Sequence, residues 1–233
     1  MKKIGKSLLI IFFYVTYSSL SLIPLILLNI NIETMPDILY YLYYLIMQFI
    51  FILFLYFFFQ DEIKKMLVDF NNKYKEYLEL AIRYWVVGLV LMIISNVIIS
   101  SLTPVELPEN EEAVRGLINV IPIIMTSLIL FTAPIIEEFI YRKVLYDLIP
   151  FKILYIIISS LTFGLAHVLG MASSALSYLY IIPYAILGAV FAIAYVKTKN
   201  IFVTISMHFV HNLFTIITIF LMKWGVLWKK LIY

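Results

Sequence analysis

Seven apolar runs, each near the length a helix needs to cross a bilayer, constrain this chain more than any motif in it. They cover about 7–30, 38–59, 82–102, 117–148, 153–168, 176–196 and 201–222. A hydrocarbon layer about 30 Å thick takes about 20 apolar residues in a helix. Lipid cannot satisfy a bare backbone, so such runs cross it as helices or not at all. The expected fold is therefore all-α, a polytopic transmembrane helix bundle of seven spans, or eight if the tail adds one. Of the 233 residues, 64% are hydrophobic and 13% charged, against about a half and a quarter in soluble domains. No repeat, linker or low-complexity segment divides the chain, so residues 1–233 read as a single integral membrane domain.

Charge gives the orientation. The N-terminus carries Lys2, Lys3 and Lys6 before its apolar run, and that run exceeds the 7 to 15 residues of a signal-peptide core. It reads as an uncleaved first span, bent near Pro24. With the N-terminus in the cytoplasm, Lys64, Lys65, Lys73, Lys75, Arg83, Arg142, Lys143, Lys152, Lys197 and Lys199 fall on the same side, and before the tail only Arg115 falls outside. The expectation is a multi-pass protein of the cell membrane. The net charge of +3 then reports topology rather than nucleic-acid binding, and the partner expected from it is membrane lipid.

Two stretches, 61–80 and the tail, leave alternatives. Asp61 to Leu80 is polar with apolar residues at helical spacing, so it suits either an amphipathic helix on the cytoplasmic leaflet or an ordinary connecting helix. The loop with Glu106, Glu109, Glu111 and Glu112 suits the outside. Lys223, Lys229 and Lys230 in the tail would end up outside after seven spans, unless 224–233 fold back into the interface or half a span has been missed. In the sixth span Ala185, Gly188, Ala189 and Ala192 form a small-residue stripe that lets two helices approach closely.

Chemistry concentrates in Thr132 to Lys143, TAPIIEEFIYRK, on a span expected to kink at Pro134. An ionisable group in a bilayer-embedded helix costs about 2.5–3.5 kcal/mol on insertion scales, so three within six residues need a reason. On a helix Glu138 and Arg142 share a face and can pair, while Glu137 is rotated by about 100° and remains free. His167 follows Phe163 by four residues, and Asn212 follows His208 by four, with His211 between them. Counting about 1.5 Å per residue from the cytoplasmic helix ends puts Glu137 about 16 Å deep, His167 about 22 Å and His208 about 10 Å. Those depths allow one buried cluster, reached from the cytoplasmic side.

Such a cluster suits attack of water on an amide. A carboxylate in an apolar pocket is an effective general base, an imidazole can hold the water, and a second imidazole with a carboxamide can donate to the oxyanion. Glu137, His167 and His208 are equally the ligand set of a catalytic Zn2+ with one open position, so metal-bound and metal-free versions both stand. Cysteine is absent, which removes thiol chemistry. There is no HExxH, no GxGD beside Tyr146-Asp147, and only a faint serine-protease likeness in Gly170 to Ser174. The blander alternatives are a charged helix end for Glu137, Glu138 and Arg142, and interhelical hydrogen bonding for the histidines.

Glu137-Glu138-x-x-x-Arg142, Phe163-x-x-x-His167 and His208-x-x-x-Asn212, in this order on successive spans, resemble the CAAX protease and bacteriocin-processing family of intramembrane proteases. The likeness covers about residues 117–221. It implies Glu137 as the water-activating base with Glu138 held by Arg142, and His167 on the water or metal with Phe163 shaping the substrate pocket. His208 and Asn212 would serve the oxyanion, and His211 has no counterpart in the motif. The activity implied is endopeptidase cleavage of a membrane-associated peptide. A non-catalytic immunity protein against a bacteriocin is the alternative, and a proton-coupled transporter would be expected to show repeated halves.

Overall fold

A computed structural model describes residues 2–103 and 108–232 of the chain, with the side chains of 3–103 and 108–222. Glu106 and Tyr233, and the side chains of Lys2, Trp224, Lys223, Lys229 and Lys230, lie outside the described residues. The helices are α1 (Lys2–Leu20), α2 (Ile23–Leu27), α3 (Asp37–Asn72), α4 (Tyr74–Leu102), α5 (Glu109–Val120), α6 (Pro122–Leu148), α7 (Lys152–Val168), α8 (Leu176–Thr198) and α9 (Ile201–Ile232). Among the described residues six segments are long and apolar enough to cross a membrane, and α7 is a shorter apolar helix. These seven correspond to the seven apolar runs, and the protein is an all-α, multi-pass bundle.

The boundaries differ from expectation where backbone chemistry intervenes. The first span breaks after Leu20, and Pro24 opens α2, where its missing N–H is no loss. Pro122 likewise starts α6, so Leu117 belongs to the separate helix α5 rather than to the fourth span. The polar stretch 61–80 is neither a surface helix nor a separate connector. Helix α3 runs unbroken to Asn72, the chain turns at Lys73 (φ −117°, ψ 20°), and α4 starts at once. At 36 residues α3 is about 54 Å long and outreaches the hydrocarbon layer. The tail does not fold back: α9 continues as one helix to Ile232.

One end of the bundle gathers the lysines. Lys3 pairs with Asp147 (2.7 Å), Lys6 with Glu62 (2.9 Å), and Lys143 with both Asp147 (2.6 Å) and Glu62. These contacts tie the start of α1 and the end of α6 to the far stretch of α3. By connectivity α5 lies at the opposite end, where Glu109 accepts hydrogen bonds from Ser173 Oγ (2.8 Å) and Ser177 Oγ.

Helices α7 and α8 touch through glycine. A Cβ on Gly164 would stand 2.7 Å from the backbone O of Ile181, and one on Gly188 would stand 3.2 Å from Phe163 Cβ. Gly188 belongs to the small-residue stripe, and the contact it permits fixes the helix that carries Phe163 and His167.

Candidate active site

Helix α6 departs from regular α geometry on both sides of its glutamates. Leu128–Thr132 and Phe139–Val144 are π-helical, and Ala133–Glu138 between them is α-helical. The ring of Pro134 collides with the carbonyl four residues back in a regular helix, and the wider turn before it relieves that clash. The expected kink at Pro134 thus takes the form of a π turn.

Glu138 and Arg142 are wholly shielded from solvent, with Nε 2.9 Å from Oε2. The approach is short but off the line of a hydrogen bond, since neither atom has a hydrogen-bond partner among the described residues. Arg142 Nη1 donates to Ser159 Oγ at 3.0 Å, and Ser159 Oγ donates to the carbonyl of Tyr141 at 2.8 Å. The guanidinium also lies 4.8 Å from the Phe163 ring centroid and 5.6 Å from that of Phe191. A buried cation is tolerated here because an anion, a hydroxyl and two ring faces surround it.

Glu137, one residue earlier, faces elsewhere. Its Oε2 stands 3.8 Å from His167 Nε2 and 4.0 Å from His208 Nε2, and has no hydrogen-bond partner among the described residues. Both imidazoles are anchored by their other nitrogen. His167 Nδ1 lies 2.8 Å from the carbonyl of Phe163, and His208 Nδ1 lies 3.0 Å from Glu138 Oε1. A carbonyl and a carboxylate accept from these Nδ1–H groups, so both Nε2 atoms turn toward Glu137. The His167 ring is held between Phe163 (centroids 4.4 Å) and Tyr184 (4.6 Å).

A cavity of about 430 Å³ holds Glu137, His167 and His208, together with Phe163, His211 and Asn212. Asn212 donates one N–H to the carbonyl of Ile129 at 2.7 Å, within the first π turn, and its amide has a second N–H. Glu138 and Arg142 stand behind this group rather than on the cavity wall. Every residue singled out from the sequence is therefore in the cavity or one contact from it. The direction of opening differs from expectation: the walls extend to Asn110, Glu111 and Arg115 on α5, away from the lysine-rich end. On the lysine side the Arg142 assembly and the Phe163 and Phe191 rings close the floor.

Three residues were missed by sequence reading. Ser159 precedes Phe163 by four and His167 by eight, a one-face pattern that could have flagged it. Tyr141 lines the cavity and its hydroxyl lies 3.1 Å from that of Tyr14, on a helix outside every motif. Tyr184 is evident only from packing.

The donor types of Glu137, His167 and His208 suit zinc, and their anchored Nδ1 atoms match the outer hydrogen bonding of metal ligands. Their spacing does not fit it: among the described residues no group of three such side chains stands at metal-holding geometry. The 3.8 and 4.0 Å separations are ones that a water hydrogen-bonded to each atom at ~2.8 Å would span.

Residues 119–214 match the family described as type II CAAX prenyl endopeptidase, Rce1-like, which bears out the resemblance drawn from the three motifs. A protein of Bacillus subtilis (strain 168), named "Putative membrane peptidase YdiL", is 32% identical over 114 residues, which are 47% of this chain and 42% of that protein. The chain thus spans less than half the length of the curated relative it matches. No solved structure matches.

Proposed function

From the match of residues 119–214 to the Rce1-like family, we propose that the protein is an intramembrane endopeptidase in which Glu137 activates the hydrolytic water. The observation that carries the reading is the approach of two imidazole Nε2 atoms to one carboxylate oxygen, at 3.8 and 4.0 Å, on a cavity floor.

A water between these groups donates one O–H to Glu137 Oε2 and the other to His167 Nε2. Glu137 takes its proton as the water oxygen attacks the scissile carbonyl. His208, as the imidazolium whose Nδ1–H is held by Glu138, donates from Nε2 to the oxyanion, and the second N–H of Asn212 joins it. The C–N bond then breaks, and Glu137 returns its proton to the leaving amine. Arg142 holds Glu138 in place. Each step uses the chain's own groups.

The lysine-rich end is assigned to the cytoplasm and the membrane to the cell surface, on the positive-inside asymmetry. The cavity then opens to the outer face, and the substrate class is a peptide presented there, at or in the bilayer. All of residues 1–233 are taken as one domain, because α1, α3 and α4 pack on the motif-bearing helices. Peptide profiling of cells carrying wild type or Glu137→Gln tests the proposal. A peptide pair, precursor and product, that depends on Glu137 is the expected result. Unchanged peptide profiles with retained biological protection would favour the non-catalytic immunity reading.

A further inference from the structure

Glu137 is reached from two cavities. Besides the main one, a cavity of about 250 Å³ lies between α1, α3 and α6, and Tyr14, Ala133 and Glu137 line both. It is lined by five residues with polar side chains, Tyr14, Tyr17, Ser18, Tyr44 and Gln48. The sequence places them there: Tyr14, Tyr17 and Ser18 share one face of α1 by three- and four-residue spacing, and Tyr44 and Gln48 share one face of α3. None lies in the segment that matches the family.

A polar wall within the hydrocarbon layer is unfavourable unless its groups are satisfied. The hydroxyl of Tyr17 is shielded and has no hydrogen-bond partner among the described residues, as is true of Glu137 Oε2. Tyr14 Oη, between the two cavities, contacts the hydroxyl of Tyr141 at 3.1 Å. A peptide lying in the main cavity would displace the solvent there, yet hydrolysis consumes one water per bond cut. We propose that the smaller cavity is the water supply of the site, a hydroxyl-lined channel that delivers water to Glu137 from the side opposite the bound peptide. The inference rests on the hydrolase reading for its purpose, whereas the labelling test below does not depend on that reading.

The chain has no cysteine, so single cysteines report local hydration directly. In liposomes, Gln48→Cys is expected to react with a small water-soluble methanethiosulfonate at least ~10-fold faster than Ile46→Cys, because the reactive thiolate forms only where water reaches it. Ile46 is exposed on the outer surface of α3. Equal, slow reaction at both positions overturns the channel whether or not the protein is a peptidase. In the cleavage assay, Gln48→Leu and Tyr17→Phe, checked for an unchanged melting temperature, are expected to lower kcat several-fold with KM unchanged. An unaltered kcat overturns the proposal. So does a raised KM or a shifted cut site, which would make the cavity a peptide subsite.

Discussion

Arg142 and Glu138 form an ion pair, Nε to Oε2 2.9 Å, from which solvent is wholly excluded. Two charges this deep repay their desolvation only through each other and through the groups around them. Here those groups are Ser159 on the arginine and His208 on the glutamate. The pair is thus both a keystone for α6, α7 and α9 and the element that orients one of the two imidazoles.

Removing one partner strands the other. Arg142→Met is expected to destabilise the protein by about 3–5 kcal/mol, read as the loss of unfolding free energy in mixed micelles. Glu138→Gln keeps an acceptor for His208 and strands only the arginine. The double variant should recover much of the loss, since its two effects share one network and do not add.

Close approach of α7 and α8 gives a second expectation. At Gly164 the added Cβ meets backbone at 2.7 Å, whereas at Gly116 it meets nothing within 4 Å. Gly164→Ala should therefore cost about 1–3 kcal/mol through overpacking and displace His167, with a fall in activity. Gly116→Ala, in the middle of α5, should stabilise by about 0.5–1 kcal/mol. Thermal unfolding of the two variants beside wild type measures both.

The apolar runs made the helices legible, because hydropathy along a chain needs no knowledge of neighbours. Three residue pairs at four-residue spacing, two of them wholly polar, likewise identified one face of each motif-bearing helix. What stayed hidden depends on tertiary contact. Nothing in the composition of 61–80 says that α3 runs on until Lys73 turns. The opening of the cavity toward α5 follows from Phe163, Phe191 and Arg142 closing the other side, and rings in a sequence do not reveal which end they plug. Tyr14 escaped notice because its hydroxyl acquires meaning only beside Tyr141.

Glu109 supplies a pH dependence. Partial burial would raise its pKa, but hydrogen bonds from Ser177 and Ser173 outweigh that and hold it at about 2, against an ordinary 4.5. A depressed carboxyl stabilises the fold fully above its unfolded value and loses that contribution as pH falls through the folded one. Stability should therefore decline between about 4.5 and about 2, and Glu109→Gln should lose this contribution at neutral pH and flatten the acid limb. Unfolding midpoints across that range check the sign.

Topology is checked by labelling intact cells. Met171→Cys lies exposed at the α5 end and Lys65→Cys exposed at the lysine-rich end. A membrane-impermeant maleimide should modify the first from outside and the second only after permeabilisation. The reverse pattern would turn the cavity toward the cytoplasm.

The most direct test of the central claim is cleavage of a substrate peptide by purified protein in liposomes, wild type against Glu137→Gln, with and without a strong chelator. The account predicts that the variant folds normally and loses about 10²–10⁴-fold in rate, the share a general base supplies, while the chelator leaves wild type active. Cleavage undiminished in Glu137→Gln would contradict it.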